Sequence, residues 1–153
     1  MIKYKLRTAK NKDLKFLFEV STRAMLPIRK INQPNLQLNL EKEFEVYTKK
    51  FEPAKIQVIQ MNGRDIGRLR IVRTQEEIYV GGIQILPKWQ KKRIGSAIFS
   101  DLIKEANKSQ LPIMLEVAKV NKIAKRFYER LGFKKVGEKE TDLIMKYKPD
   151  KQT

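Results

Sequence analysis

The stretch that decides the fold runs from Ile83 to Ala106 and reads IQILPKWQKKRIGSAIFSDLIKEA. An apolar run ends at Pro87, basic residues follow, and apolar residues then recur every three or four positions. The first part is typical of a buried strand and the last of an amphipathic helix. Because a helix N-terminus presents unpaired N–H groups and the positive end of the helix dipole, it attracts anions. We therefore predict a strand, an anion-binding loop and a helix, in that order.

Three cations and a glycine at the helix start strengthen this prediction. Lys91, Lys92 and Arg93 add positive charge, and Gly95 lets the backbone come close to a ligand. The stretch lacks the Gly-Lys-Ser/Thr of a P-loop and the glycine spacing of a dinucleotide-binding fold. The alternative is an ordinary solvated basic surface, where Trp89 either stacks on a nucleic-acid base or anchors the loop. A pyrophosphate is the ligand that the loop suits best.

Hydropathy patterns on both sides predict an α/β (α+β) fold with helices packed on a largely antiparallel sheet. Asp13 is placed to cap the first helix, Pro27 follows its predicted end, and Asn62-Gly63 is typical of a tight hairpin. The predicted order is a strand at 2–7, helices at 13–24 and 40–51, strands at 54–61, 65–73 and 78–86, a helix from 94, a strand at 111–118, a helix at 123–131, and strands at 133–140 and 142–148.

Two glycine features refine these elements. Gly81 and Gly82 lie inside a strand, where they indicate a bulge that splays the strand from its neighbour, or a structural kink. Gly132 follows the last helix, where a left-handed residue is favoured. The predicted apolar stripe of that helix consists of Ile123, Ala124, Phe127, Tyr128 and Leu131.

Composition limits the chemistry that the chain can perform. Its 153 residues suit a single domain, and the absence of Cys and His excludes disulfides, thiolate metal sites, a cysteine nucleophile and a histidine base. The longest uncharged runs reach about half of the roughly 20 apolar residues of a membrane span. Since the N-terminus also lacks the apolar centre of a signal peptide, we expect a cytoplasmic protein without a metal.

The net charge of +17, from 34 basic and 17 acidic residues, favours anionic partners. Nucleic acid, acidic lipid and phosphorylated small molecules all fit such a surface, and charge alone does not choose among them.

Two blocks of sequence resemble the GNAT superfamily of acetyl-coenzyme A dependent N-acetyltransferases. The family's loop, Gln/Arg-x-x-Gly-x-Gly/Ala after a strand, is matched by Gln90 and Gly95, whereas Arg93 stands where the family usually has its first glycine. The side chain of Arg93 must therefore point away from the pyrophosphate or contact it. The second block, LEVAKVNKIAKRFYERLGF, resembles the family's closing motif and is most similar to that of ribosomal-protein N-terminal alanine acetyltransferases. Its matching residues are Asn121, Ala124, Tyr128, Leu131, Gly132 and Phe133.

The resemblance covers essentially the whole chain and implies a GNAT-type fold with acetyl-CoA as co-substrate. It implies a coenzyme-binding core at about 78–133 and acceptor-site helices at about 13–51. Asn121 is expected to bind the pantetheine arm and to cap its helix. The residues implied to bind the coenzyme are Ile85, Leu86, Gln90, Lys91, Lys92, Arg93, Ile94, Gly95, Ser96, Asn121 and Ala124.

The family's reaction is direct attack of an amine on the thioester, which suits a chain without Cys or His. The resemblance places the hydroxyl of Tyr128 near the coenzyme sulfur as proton donor, while the alternative is an ordinary core tyrosine. Glu116 is the candidate base, although a strand glutamate paired with a lysine is an equal alternative. Glu77 and a chain of waters are further candidates for the base.

The acceptor is predicted to be a primary amine on a small molecule, a peptide N-terminus or a lysine. By the same resemblance the segment 22–51 borders the acceptor site, and its charges favour an acceptor carrying a carboxylate or phosphate, or an acidic peptide. A basic nucleic-acid or ribosome-binding module with a non-catalytic GNAT fold is the alternative function. Propionyl or succinyl transfer, and a monomer or a homodimer, are equally compatible with the sequence. The charged and aromatic residues of that segment are Arg23, Arg29, Lys30, Phe44 and Tyr47.

Overall fold

The computed structural model describes residues Ile2–Lys151 and has the predicted order of elements. The strands are β1 (Lys5–Thr8), β2 (Gln57–Met61), β3 (Arg64–Arg73), β4 (Ile78–Ile85), β5 (Ile113–Ala118), β6 (Lys134–Glu138) and β7 (Asp142–Tyr147). The helices are α1 (Leu14–Asn32), α2 (Leu40–Lys50), α3 (Ile94–Ser109) and α4 (Lys122–Arg130). Short 3-10 turns lie at Asn11–Asp13, Pro53–Lys55 and Pro87–Trp89.

The seven strands form one sheet in the order β1-β2-β3-β4-β5-β7-β6. β4 and β5 are parallel, and the pairs β1–β2, β2–β3, β5–β7 and β6–β7 are antiparallel. The predicted mixed α/β fold with a mostly antiparallel sheet is therefore confirmed. Across Ile2–Lys151, no helix is long and apolar enough to cross a membrane.

The hairpin between β2 and β3 forms where it was predicted. Asn62 and Gly63 have φ angles of 52° and 76°, both in the left-handed region. Two such residues in a two-residue turn match the right-handed twist of the paired strands. This turn fixes the order in which β2 and β3 enter the sheet.

The predicted end of α1 at about residue 24 is wrong, because the helix continues through Pro27 to Asn32. A proline inside a helix removes one N–H bond to the residue four positions earlier. Here the partly buried Ala24 and Ile28, on either side of the proline, continue at helical spacing the apolar stripe of Leu17 and Val20. The packing of this stripe extends the helix past the residue at which the proline rule ends it.

The first of two compact units comprises residues 3–70 and 83–92. Asp13 lies at the N-cap of α1 as predicted, but its carboxylate does not cap that helix. The Asp13 carboxylate accepts two hydrogen bonds from Arg7, both of 2.8 Å, and one from the Lys10 N–H. A buried cluster of this unit consists of Ala9, Leu17, Ile56 and Val58, with Phe16, Tyr47 and Phe51 packed against it.

The second unit comprises residues 71–82 and the chain from Arg93 to the end of the described residues. α3 contributes its core face, where the predicted recurrence of apolar residues at every three or four positions is confirmed by their burial. Gly132 has a φ of +102°, so it occupies the left-handed conformation predicted after α4. The side chains that α3 buries are Ile94, Ile98, Phe99, Leu102 and Ala106.

Candidate active site

The start of α3 has an unusual backbone. Lys91 and Arg93 have φ angles of 61° and 63°, in the left-handed region that costs a non-glycine residue about 1–2 kcal/mol. Arg93 is the N-cap residue, and no side chain of the described residues caps the helix. The first-turn N–H groups of the helix are thus available to a ligand. Both left-handed residues, with Lys92 between them, are exposed.

Individual side chains of this helix start differ in what they can contact. Ile94 is only 2% exposed, so its backbone N–H is the group that can face a ligand. Ser96 is exposed and adds a hydroxyl. A Cβ atom placed on Gly95 would lie 3.8 Å from the nearest atom, Phe127 Cζ, which is an ordinary van der Waals contact, so the space beside the glycine is not overcrowded. The predicted role of the glycine as a point of close approach is compatible with this space.

The end of β4 and the loop after it hold each other in place. The Gln90 side-chain amide donates to the Ile85 carbonyl at 2.8 Å. Leu86 donates its N–H to the Ile66 carbonyl at 2.8 Å and accepts from the Trp89 N–H at 2.8 Å. The backbone groups predicted to pair with the pantetheine arm therefore already make some hydrogen bonds within the protein. Each carbonyl oxygen keeps a second lone pair for a ligand N–H.

Asn121 caps α4 as predicted. Its side-chain oxygen accepts from the Ala124 N–H at 3.2 Å, which satisfies one unpaired donor of the first turn. The predicted apolar stripe is correct for its aromatic members but wrong for Ile123, which is 81% exposed. Ile123 is the second helical residue, and the helix turns it away from the core face on which Phe127 and Tyr128 lie.

Tyr128 is surrounded by aromatic rings. Its ring centroid lies 5.4 Å from that of Phe99, 5.4 Å from that of Phe127 and 5.7 Å from that of Phe133. Burial in this apolar cluster raises the pKa of Tyr128 to about 12. The phenol is therefore fully protonated at neutral pH and is available as a hydrogen-bond donor.

The aromatic cluster brings the start of α3 and the helix of Tyr128 together. Phe127 lies next to Gly95 at the start of α3, and the Phe99 ring of α3 contacts both Phe127 at 5.8 Å and Tyr128 at 5.4 Å. Thus the helix N-terminus predicted to bind an anion and the residue predicted to donate a proton lie on two helices packed against each other.

Glu116 lies on β5 and is engaged at both oxygens. Tyr79 donates its hydroxyl to Oε2 at 3.0 Å, and the Lys139 ammonium group lies 3.0 Å from Oε1. Hydrogen bonding to Lys139 lowers the pKa of Glu116, partial burial opposes this, and the Tyr79 hydroxyl lowers it further. Both Tyr79 and Lys139 were missed in the sequence. No local signal in the sequence identifies either residue, because both meet Glu116 only after the strands have paired.

The pairing of β4 with β5 covers Ile78–Val80 against Ile113–Leu115. The pairing thus stops directly before Gly81, where the sequence predicts a bulge that separates the strand from its neighbour, or a kink. Glu116 follows the last paired residue of β5. Glu77 precedes the first paired residue of β4, four positions before Gly81, which corresponds to about 13 Å along a strand. Of the two carboxylates, Glu116 is thus the one at the end where the pairing stops.

The predicted acceptor segment lines a cleft of about 500 Å³ in the first unit. Arg29 contributes to its wall and forms an ion pair of 2.6 Å with Glu43. The Tyr47 ring packs edge-on against Phe18 with a centroid distance of 5.4 Å, and Phe44 packs there similarly. Arg23 and Lys30 are exposed and lie outside the cleft wall. Within Ile2–Lys151, no group of three or more Asp and Glu side chains could hold a metal ion.

Arg68 is a further charged residue that the sequence did not single out. It lies on β3 and is partly buried, and burial lowers its pKa. Its Nη1 donates to the Gln84 side-chain oxygen at 2.6 Å. The alternation of Arg68, Leu69 and Arg70 is typical of a strand with one solvated face, so no local signal reveals that the arginine is covered.

Comparison with known proteins identifies the family. Residues 25–133 match the Acetyltransferase (GNAT) family. The structure of the PaiA N-acetyltransferase from Thermoplasma acidophilum in complex with coenzyme A has a TM-score of 0.72 and 19% identity, covering 96% of this chain and 99% of that chain. The ribosomal-protein-S18-alanine N-acetyltransferase from Escherichia coli has a TM-score of 0.67 and 18% identity, covering 99% and 97%.

An acetyltransferase from Streptococcus agalactiae is similar to the same degree, with a TM-score of 0.68, 16% identity and coverage of 95% and 98%. No curated protein sequence matches the chain. The structural likenesses support the fold, and the match over residues 25–133 carries the assignment. The chain therefore belongs to the GNAT acetyltransferase family, whose members are acyltransferases with acetyl-CoA as co-substrate.

Proposed function

We propose that the protein transfers the acetyl group of acetyl-CoA directly to a primary amine. The observation that carries this proposal is the start of α3. Its N-terminus is uncapped by any described side chain, follows three cations, and packs through Phe127 against the helix of Tyr128. One extended ligand with a diphosphate at one end and a thioester at the other suits this arrangement.

In this proposal the coenzyme's pyrophosphate binds the backbone N–H groups at the start of α3, where the helix dipole favours negative charge. The cationic side chains before the helix add charge-assisted contacts. The pantetheine arm runs along the backbone at the end of β4 and reaches Asn121. The proposed coenzyme-binding residues are Ile85, Leu86, Gln90, Lys91, Lys92, Arg93, Ile94, Gly95, Ser96, Asn121 and Ala124.

The reaction forms a C–N bond and breaks the C–S bond of the thioester. The amine nitrogen attacks the carbonyl carbon, loses a proton, and the sulfur leaves as a thiolate that takes up a proton. We assign the hydrogen bond to the departing sulfur to Tyr128. Because its pKa of about 12 exceeds the roughly 8.5 of an alkyl thiol, the phenol stabilises the thiolate without giving up its proton permanently.

Glu116 is assigned to the proton that leaves the amine. A carboxylate whose pKa is lowered by Lys139 is a weak base. It is better suited to orient a water molecule that carries the proton away than to hold the proton itself. Glu77 lies at the other end of β4 and is less well placed for this role.

The acceptor is assigned to the cleft between α1 and α2. Its wall combines apolar side chains with Arg29, Lys42 and Lys50 and the single carboxylate of Glu43. A polycationic acceptor is disfavoured by this excess of positive charge.

The test is a pair of measurements on the purified protein. Acetyl-CoA should raise the melting temperature far more than inorganic pyrophosphate at equal ionic strength, since ligands of the folded state stabilise it by mass action. Incubation with acetyl-CoA and a panel of primary amines should release free thiol above the rate without amine. No stabilisation by any coenzyme A derivative would overturn the proposal.

A further inference from the structure

A second cleft of the first unit is smaller and strongly cationic. It has a volume of about 230 Å³. Its wall contains Lys50, Lys55, Arg68 and Arg70 against the single carboxylate of Glu52. That carboxylate already forms an ion pair of 2.8 Å with Lys55. The charged side chains of this wall therefore carry a net charge of +3 around a compact space.

Arg68 is the buried cation of this cleft. A guanidinium group has five N–H donors and no acceptor. Its Nη1 is bonded to the neutral Gln84 amide, while Nε is fully buried and has no hydrogen-bond partner among the described residues. Leaving a buried charged donor unsatisfied is unfavourable unless a ligand supplies the acceptor. Arg68 is thus placed to receive an anion.

Tyr47 supplies a second donor at the same place. Its hydroxyl is buried beside the Ser21 hydroxyl, and neither oxygen makes a hydrogen bond of good geometry to a described residue. Burial raises the pKa of Tyr47, and the positive charge of Arg68 opposes the rise. The Tyr47 ring is held between Phe18 and Phe51, with centroid distances of 5.4 and 5.8 Å. Its hydroxyl is therefore fixed beside the arginine.

We propose that this cleft, with Arg68 and Tyr47 as its donors, binds the carboxylate or phosphate group of the amine acceptor. The inference rests on the proposed acetyl transfer. Gln84, the partner of Arg68, directly precedes Ile85, at which the pantetheine arm is proposed to run. The larger cleft shares Tyr47 and Lys50 with the smaller one, so the body of such an acceptor has room beside its anionic group.

The first experiment detects anion binding without activity. In the presence of saturating coenzyme A, inorganic phosphate and acetate are titrated while the arginine Nε–H signals are followed by nuclear magnetic resonance. The Arg68 signal is identified by its loss in Arg68→Lys. We expect a saturable shift of that signal with phosphate, acetate or both. The anion that binds with the higher affinity identifies the preferred group.

The matched control is Arg64→Gln, because Arg64 is an exposed arginine at the start of the same strand. It removes the same charge and should leave the titration of Arg68 unchanged. An Arg68 signal that does not move, or that moves equally with sodium chloride at the same ionic strength, overturns the proposal.

The second experiment measures specificity with amines that differ in one anionic group. The pairs are tyrosine with tyramine, and phosphoethanolamine with ethanolamine. The anionic member of at least one pair should have a kcat/KM about tenfold higher. Arg68→Gln should reduce this preference to about twofold or less without changing the KM for acetyl-CoA, whereas Arg64→Gln should retain it.

Equal use of both members, or a preference that survives in Arg68→Gln, contradicts the inference. If Arg68→Gln does not fold, Tyr47→Phe provides the second variant and should reduce the same ratio. A purely structural role of Arg68 would change stability but not the ratio. If no amine releases thiol, the proposed transfer fails, and the titration of the Arg68 signal still decides whether the cleft binds anions.

Discussion

The helices α3 and α2 treat their apolar side chains in opposite ways. α3 buries five side chains, and the aromatic rings of α4 pack against one of them, Phe99. α2 buries none, and Val46 of that helix is 46% exposed beside an open cleft. A closed aromatic core holds catalytic groups in fixed positions, whereas an open cleft leaves room for a ligand. In the proposed function the coenzyme therefore binds the closely packed pair of α3 and α4, and the acceptor binds the open pair of α1 and α2.

The largest loss of stability is expected at Gly67, where the backbones of β3 and β4 approach closely in the first unit. A Cβ atom on Gly67 would overlap the Gln84 carbonyl oxygen, and backbone cannot move aside as a flexible side chain can. Gly67→Ala should lower the free energy of unfolding by about 3 kcal/mol. Urea unfolding measures this loss.

The control for this change is Gly137→Ala in the second unit. There the nearest atom to the new methyl group is Ile144 Cδ1 at 3.4 Å, and the φ angle is not positive. The loss should stay below about 1 kcal/mol. Equal losses in the two variants would show that the close approach of β3 and β4 does not determine the stability of the first unit.

Tyr128→Phe tests whether the packed pair of α3 and α4 contributes chemistry as well as packing. Removing the hydroxyl should lower kcat about 10²-fold, or about 2.7 kcal/mol, because the departing thiolate loses its hydrogen-bond donor. The KM for acetyl-CoA should change little. Steady-state thiol release measures both constants.

Tyr147→Phe is the matched control, because it removes another hydroxyl of the same unit, one that donates to Asn107 at 3.0 Å. It should leave kcat within about twofold, since a lost neutral hydrogen bond affects stability alone. If Tyr128→Phe had the same kcat as this control, Tyr128 would be an ordinary core tyrosine without a role in the reaction.

Acid should affect the two units differently. Bonding to Arg7 holds the pKa of the buried Asp13 at about 2, below its ordinary 3.8. A carboxyl group whose pKa is lowered on folding stabilises above the unfolded value, and this stabilisation is lost as the pH falls from about 4 to about 2. At about 1.4 kcal/mol for each pH unit between the two values, Asp13→Asn should cost about 2 kcal/mol at pH 7.

The difference in unfolding free energy between wild type and Asp13→Asn should therefore shrink as the pH falls through that range. In the second unit, Glu105→Gln breaks an exposed pair with Arg73 and should cost at most about 0.5–1 kcal/mol at any pH. A pH-independent cost of Asp13→Asn would exclude the ionised pair as the source of its stabilisation.

The sequence predicted the second unit better than the first, for a physical reason. The core positions of α3 and the left-handed Gly132 follow from local rules of periodicity and helix termination, and the family motifs lie there. Pro27 misled the prediction because tertiary packing outweighs the loss of one backbone bond. Arg68 was missed because period-two alternation shows which residues share a face, but not that Tyr47 of α2 lies beside this one.

The site residues follow the same division. Asn121 and Tyr128 could be predicted because a motif fixes their spacing. The partners of Glu116 could not, since Tyr79 and Lys139 are 37 and 23 positions away and meet it only through strand pairing and folding of the C-terminal hairpin. A motif thus predicts which residues act, while the pKa of each depends on neighbours that are distant in sequence.

The smallest effects are expected at the two asparagine helix caps, one in each helix pair. Asn39 caps α2 by accepting from the Lys42 N–H at 3.1 Å, and Asn121 caps α4 by accepting from Ala124 at 3.2 Å. Replacing either by Ala should cost about 1 kcal/mol of unfolding free energy. Only Asn121→Ala should also weaken acetyl-CoA binding, by about fivefold for one lost hydrogen bond. Asn121→Ser restores the cap but not the amide, so its stability should recover while its affinity does not. An Asn121→Ser protein that binds acetyl-CoA like wild type would reduce Asn121 to a helix cap, equivalent to Asn39 in the open pair.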